Sequence, residues 1–504
     1  MNRTTITAMN TVATPASPGA QGAASAPLPP ALRELHDLPG PRGWPVLGNL
    51  PQLDAPRFHL QVEQWCRDYG PYFRLRMGRR TVLVVADHEV VAGVLRDRPD
   101  GFRRTRLLEA IGAEMGLLPG VFGANGETWK RQRRMVMAGF DPAHVKGYFP
   151  SLCRVACHLD ERWQKAAAGG SAIDLQADLM RFTVDTIAGL AFGVEVDTLR
   201  SDDDVIQRHL DKIFPALYRR MMSPLPTWRW WTTAADRELA RSVAEVRAAV
   251  DDFIAKARAR LAEQPGLREH PENLLEAMII AAEAEGGGIS DLEVAGNVLT
   301  MLLAGEDTTA NTIAWMTHLL WLNPAALARA TEEVRRQVPD PMNPTLEQVA
   351  GLGFIEACAH ETMRLKPVAP QLPLEALRDT VVGNVRIPAG TVVISMLRRD
   401  SVAEVFVTRA AEFLPERWLT EGGPGQQANA AKRISMPFGA GPRICPGRYL
   451  ALLEMKMALA VLLGRFDITA VDTPDGRPAA ERLSFTMTPV GLTMRLRPRA
   501  SQGA

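Results

Sequence analysis

The stretch Phe438-Gly439-Ala440-Gly441-Pro442-Arg443-Ile444-Cys445-Pro446-Gly447 sets one cysteine in a glycine-rich loop immediately ahead of a long apolar segment. Glycine permits backbone angles and close approaches that bulkier residues do not, so such a loop can come near a bound group. Beyond it, Tyr449, Leu450, Leu452, Leu453, Met455, Met457 and Ala458 read as a buried helix. The cysteine therefore stands just before a helix N-terminus, where a thiolate is favoured. A thiolate is a soft, strongly donating ligand, and Arg443 brings a positive charge within reach of an anionic group.

Three further patterns carry chemistry. Ser290-Asp291-Leu292-Glu293 has capping-box spacing and opens a helix predicted to run from Asp291 to Leu322, near Pro324. Its middle, Leu302-Leu303-Ala304-Gly305-Glu306-Asp307-Thr308-Thr309-Ala310, places two acids and two threonines among apolar neighbours, a costly arrangement unless they are paired or solvated. Gly305 removes a side chain where a ligand could approach, and the threonines can bend the helix through bonds to backbone carbonyls. Trp129 and Arg133, four apart, share a helical face on which an indole N–H and a guanidinium could both meet a carboxylate. Glu361 and Arg364, three apart on a helix that Pro367 helps to end, can also meet.

Together these residues resemble the cytochrome P450 family. The cysteine loop matches its haem-binding signature, Phe-Gly-x-Gly-x-Arg-x-Cys-x-Gly, at every fixed position. Ala304–Thr309 resembles the oxygen-activation groove, with Asp307 at the acidic position and Thr308 at the principal alcohol position. Trp129/Arg133 is similar to the pair that holds haem propionates, and Glu361/Arg364 to the Glu-x-x-Arg clamp. Phe413-Leu414-Pro415-Glu416-Arg417-Trp418 resembles the segment that completes that clamp, with Arg417 as the added partner and Trp418 replacing the usual Phe. The resemblance implies a mainly α fold with a smaller β-rich region, and heme b (iron protoporphyrin IX) as cofactor. It implies Cys445 as iron ligand and Trp129, Arg133 and Arg443 at the propionates. The implied reaction inserts one atom of O2 into a hydrophobic substrate, most simply by C–H hydroxylation. Asp307 and Thr308 would handle protons. A peroxide-driven peroxygenase and a noncatalytic haem sensor are the alternatives.

Length and composition bound the rest. The 504 residues are 46% hydrophobic, enough for a substantial core, and 58 basic against 57 acidic side chains give no general argument for nucleic-acid binding. The five cysteines, Cys66, Cys153, Cys157, Cys358 and Cys445, fit neither a disulfide framework nor a zinc module, which suits a reducing, cytoplasmic setting. No run of about 20 apolar residues suggests a membrane span, and no secretory signal is evident. Residues 1–34 read as a disordered tail, and 35–504 as one catalytic domain.

Along that domain, Leu38-Pro39-Gly40-Pro41 resembles the proline-rich hinge of membrane-bound relatives. Tyr72–Gly78 and Thr81–Val85 read as a hairpin, Glu421–Ala431 as a flexible surface insertion, and Gly476–Leu496 as a terminal hairpin. Phe214, Leu217, Tyr218, Met221 and Met222, with Trp228, Trp230 and Trp231 close behind, form either helix packing or, by the resemblance, a lid over a substrate channel. Tyr69–Val85 and Pro367–Thr380 resemble fatty-acid-hydroxylating members. There Arg79 matches a channel-mouth arginine, although Leu83 replaces the tyrosine that assists it. Arg398 either adds charge near the cofactor or lies on the surface. Lys130, Arg131, Arg134, Lys432, Arg433 and Arg448 could form a basic face for an acidic partner. No flavin or iron–sulfur domain is evident, so a separate ferredoxin or flavodoxin and an NAD(P)H-dependent reductase are expected.

Overall fold

The computed structural model describes residues 31–499 except 141, 202–204, 285–287 and 420–424. Residues 1–30 of the expected tail lie outside the described residues. Arg33–Glu34 pairs in parallel with Val385–Arg386, so ordered structure begins before the expected boundary at residue 35.

The long helix runs Asp291–Leu322, as the capping box and Pro324 predict. The Ser290 hydroxyl accepts the Glu293 N–H at 3.3 Å, and the Glu293 carboxylate accepts the Ser290 N–H at 2.9 Å. At about 1.5 Å per residue this helix crosses most of the molecule, and most of its side chains are buried. It packs against the helix Leu175–Phe192 on one side and the cysteine helix Arg448–Arg465 on another. Thr300, Thr308, Thr312 and Thr317 each return a hydroxyl to the carbonyl four residues earlier, at 2.7–2.9 Å. These bonds let hydroxyls sit in an apolar helix without orphaned donors.

A five-stranded sheet lies beside the helices. The predicted hairpin, Tyr72–Met77 with Arg80–Val85, joins Val392–Met396 in parallel at Val82 and Val392. Gln371–Ala376 and Phe102–Arg104 complete it. The predicted C-terminal hairpin is shorter than expected: Glu481–Leu483 pairs with Met487–Pro489. The last strand, Thr493–Pro498, instead pairs with Phe466–Asp472 and with Ile173–Asp174. Residues 421–424 of the expected flexible insertion Glu421–Ala431 lie outside the described residues, and the rest is corrected. Gly425–Ile434 is helical, and Ala431 and Ile434 bury against Val407 and Ala410, which is the apolar contact that fixes it.

Candidate active site

The cysteine loop is shaped by two left-handed glycines, Gly439 (φ 75°) and Gly441 (φ 72°). At Gly441 a Cβ would come within 2.6 Å of the Arg96 Cα and 2.9 Å of the Leu95 carbonyl oxygen, so only glycine fits. The Cys445 N–H closes the loop on the Phe438 carbonyl at 2.9 Å. The helix begins at Arg448, which leaves Cys445 three residues ahead of its first turn. Burial pushes the Cys445 thiol up, while the Gly447 N–H and the charges of Arg133 and Arg448 pull it down. Burial prevails.

The predicted anion-binding residues converge. The Arg443 guanidinium lies 5.0 Å from the Trp129 ring centroid and donates to the carbonyls of Val121, Phe122 and Ala124 at 2.8–3.2 Å. Arg133 donates to the Ile444 carbonyl at 2.8 Å, next to the cysteine. Two arginines absent from the sequence reading complete the cluster. Arg104 lies 4.1 Å above the Phe122 ring. Arg98 donates to the Leu95 carbonyl at 3.1 Å. Burial depresses Arg104 well below the usual guanidinium range, and Arg443 and Arg98 depress it further. Arg443 is lowered to about 9 by burial and by Arg98 and Arg133; burial alone takes Arg98 to about 10. Among the described residues, none of the four has an acidic partner. Four crowded cations without an anion suit a ligand that carries carboxylates. Arg98 and Arg104 carry no local spacing signal. They reach the site because the short strand Phe102–Arg104 joins the sheet edge.

On the long helix, Ala304 is exposed and Gly305, Asp307 and Thr308 are half-buried, between the buried runs Met301–Leu303 and Thr309–Leu320, so the helix opens at this point. The Thr308 hydroxyl donates to the Ala304 carbonyl at 2.7 Å. Gly305 serves a different purpose from the one expected. A Cβ there would meet Ile187 at 2.6 Å, so its missing side chain lets Leu175–Phe192 pack closely and leaves the ligand face to Ala304. Asp307 accepts from the Thr486 hydroxyl and, at 2.5 Å, from the Asn311 amide. Burial raises its carboxyl, and those two donors oppose the rise. Behind it, Thr309 bonds Glu454 of the cysteine helix, whose carboxyl burial pushes up to about 8.

The clamp is assembled as expected. Arg364 grips both Glu361 oxygens at 2.8 Å and spends its other N–H groups on the carbonyls of Ser401, Ala410 and Glu412. Arg417 donates to Glu361 at 2.9 Å. The Trp418 indole N–H adds a further bond to Glu361 at 2.8 Å, a role its identity as an aromatic replacement did not reveal. Arg398 belongs neither to the cofactor region nor to the surface. It is buried and pairs with Glu63 and Glu481 at 2.8–2.9 Å. Arg79 is exposed in the hairpin turn without an ion pair among the described residues, and Leu83 packs into the core. Trp230 and Trp231 are exposed, Leu217 is buried, and Phe214 stacks on Phe485 at 4.5 Å between ring centroids.

The sequence model of cytochrome P450 matches residues 38–496. The chain belongs to the cytochrome P450 family. It is similar to the chloroplastic carotene epsilon-monooxygenase of Arabidopsis thaliana, 30% identical over 457 residues covering 87% of this chain and 82% of that one. It is 27% identical to a bifunctional cytochrome P450/NADPH–P450 reductase of Bacillus cereus, over 93% of this chain but 43% of that protein's length. Among solved structures, the cytochrome P450DA heme domain superimposes with a TM-score of 0.79 at 27% identity, covering 93% of this chain and 99% of that one. This cytochrome P450 is thus a haem-thiolate monooxygenase with heme b as cofactor, and it needs O2, a substrate and a redox partner. The arginine cluster, without an acidic partner among the described residues, and the loop-borne cysteine beside it fit that group, whose propionates would supply anions there. No helix among the described residues is long and apolar enough to cross a membrane.

If the cluster serves the propionates, Arg104→Leu has opposite effects with and without haem. The apoprotein gains thermal stability because a half-buried like-charge contact of Arg104 with Arg443 and Arg98 is relieved. Haem retention weakens about 10- to 100-fold, the worth of one charge-assisted hydrogen bond. Calorimetry of both forms, with haem transfer to a scavenger globin, checks this; equal destabilisation of both forms would assign Arg104 to the fold alone.

Proposed function

We propose that Cys445 would supply the thiolate ligand to the haem iron and that Arg98, Arg104, Arg133 and Arg443, with Trp129 stacked on Arg443, would hold the propionates. The observation that carries this reading is the cluster of the buried Arg98 and the half-buried Arg104, Arg133 and Arg443 adjoining Cys445, without an acidic partner among the described residues. When bound, haem supplies the oxygen-activating chemistry. The protein's own part is to favour an anion at Cys445 through the Gly447 N–H and the nearby charges of Arg133 and Arg448, which offset part of the burial that opposes it. On the long helix, the Thr308 hydroxyl holds a proton or water at the opening beside Ala304, and Asp307 relays protons to that point.

The substrate we infer is a lipophilic small molecule, hydroxylated at a C–H bond. Phe122, Phe214 and Phe485, all half-buried, present aromatic surface that supports this. Arg79 is an exposed cation at the turn that a fatty-acid carboxylate could meet. Leu83 is buried in the core and adds nothing there, so the acid-binding mouth rests on Arg79 alone. Electrons come from a separate ferredoxin or flavodoxin and its NAD(P)H-dependent reductase, docking near the exposed Arg134, Lys432 and Arg433. We read the chain as a bacterial-type member working in the cytoplasm. All five cysteines are free thiols, as a reducing compartment maintains.

The test is a screen of hydrophobic ligands by spin-state shift on the holoenzyme, with product analysis for each hit. NAD(P)H-supported turnover with reconstituted partners supports the reading, whereas turnover with peroxide alone would favour the peroxygenase. In the same assay, Thr308→Ala is expected to lower product formation by about 10²-fold, the lower end of general acid–base contributions, and to divert electrons to peroxide. Unchanged coupling would remove Thr308 from the proton path.

A further inference from the structure

Asp307 is more tightly held than a proton relay needs to be. Both of its carboxylate oxygens are engaged, one by Asn311 and the other by Thr486. Asn311 also bonds the Asp307 carbonyl at 2.8 Å, and its own amide oxygen accepts from Gln176 at 3.1 Å. Gln176 reaches in addition to Thr488, two residues beyond Thr486 on the same hairpin, at 3.1 Å. The ring of contacts thus joins the long helix, the helix Leu175–Phe192 and the hairpin Glu481–Pro489. Among the described residues, no charged side chain is an influence on Asp307. Its surroundings are burial, Thr486 and Asn311, while the neighbouring Glu306 is buried toward Leu175–Phe192, where Thr183 bonds its carbonyl at 3.0 Å.

Among the described residues, Thr486 is therefore the one hydrogen-bond partner of the Asp307 carboxylate that lies outside the long helix, and its position depends on the residue before it. Phe485 has φ 95°, a conformation rarely adopted by residues with side chains. Its ring is braced on two sides, stacked on Phe214 of the helix Val205–Met222 at 4.5 Å and edge-on to Phe122 at 6.0 Å. A strained turn persists only where packing holds it. Here the packing comes from Phe214 on the helix Val205–Met222 and from Phe122.

We propose that Thr486 is a positioning residue that latches Asp307, and that Phe485 couples the latch to the packing of the helix Val205–Met222. A lipophilic molecule that parts Phe485 from Phe214 lets the turn relax, and Thr486 withdraws its hydroxyl. One carboxylate oxygen of Asp307 then becomes free to exchange protons with water. The acid is thereby kept out of the proton path until the pocket is filled, which limits electron loss to peroxide in the empty enzyme. This inference rests on the assignment of Asp307 to proton relay, and the two can fail separately.

The experiment is pH-difference infrared spectroscopy of the holoenzyme, with the Asp307 band identified by subtracting Asp307→Asn. Thr486→Val removes a donor to the carboxylate, so the Asp307 midpoint should rise by about one pH unit. Thr486→Ser keeps the hydroxyl and should restore the original midpoint. Phe485→Ala should move it in the same direction as Thr486→Val, as should a saturating substrate in the unmodified enzyme. A midpoint unmoved by Thr486→Val overturns the latch, and one unmoved by Phe485→Ala overturns the coupling to the helix Val205–Met222. Separately, if Asp307→Asn leaves the ratio of product to electrons unchanged, the relay assignment fails, whatever the infrared midpoints show. A carbonyl difference spectrum on every variant establishes that the cysteine site is intact.

Discussion

Cys445→Ser is expected to abolish the thiolate–carbonyl absorption band and to lower monooxygenase turnover by on the order of 10³-fold, equivalent to about 4 kcal/mol of barrier. The substitution is nearly isosteric, and the loop does not depend on sulfur. Its path is set by the positive φ of Gly439 and Gly441, the contact of Gly441 with Arg96, and the bond from the Cys445 N–H to Phe438. What changes is the donor. A serine hydroxyl stays protonated where a thiol can ionise, and it lacks the electron donation by which a thiolate favours O–O cleavage. The Gly447 N–H and the charges of Arg133 and Arg448, which favour an anion at this atom, cannot overcome that difference. Thermal unfolding of the apoprotein should move little, which separates a lost ligand from a lost fold. Persistence of the band would require another residue at the iron.

The parts of this fold that could be read in advance are those encoded over a few residues. The long helix begins and ends where Ser290, Glu293 and Pro324 place it, because a capping box satisfies its orphan donors locally and proline ends it locally. Arg364 meets Glu361 because three residues on a helix share a face. Arg417 could be named because its own segment has a recognisable form. The rest depends on approaches between distant segments, about which spacing is silent. Thr486 reaches Asp307 across 179 residues, and Arg398 reaches Glu63 across 335. Gly305 shows the limit most plainly. Its missing side chain was legible, but the neighbour it accommodates, Ile187, lies on another helix. Arg98 and Arg104 carry no pattern, because what unites them is the anion they surround rather than any spacing between them.

Glu361→Ala is expected to destabilise the fold by about 3–5 kcal/mol, the cost of leaving one member of a buried ion pair alone. That is a large share of the roughly 5–15 kcal/mol that holds a domain together. Glu361 and Arg364 are both 0% exposed, so water cannot replace the lost partner. The substitution also strands the Arg417 guanidinium, the Trp418 indole N–H and the Leu414 N–H, all of which donate to Glu361. Replacing Arg364 by Lys should not spare the fold, since an ammonium cannot serve both carboxylate oxygens and the carbonyls of Ser401, Ala410 and Glu412 together. Removing all three charges, as in Glu361→Leu with Arg364→Met and Arg417→Met, should cost less than the sum of the single changes, because no uncompensated charge of the clamp stays buried. The clamp also carries a pH signature. Burial alone would raise the Glu361 carboxyl, but hydrogen bonds and charge from Arg364, then Arg417 and the Leu414 N–H, bring it below its usual range. A depressed folded value means that the stabilisation is full above the unfolded value of about 4.3 and is lost as pH falls through the lower folded one. Denaturant unfolding across pH should therefore show the gap between the unmodified protein and Glu361→Gln wide at neutral pH and narrowing below about pH 4. A gap constant with pH would mean that Glu361 acts by shape and hydrogen bonding rather than by charge.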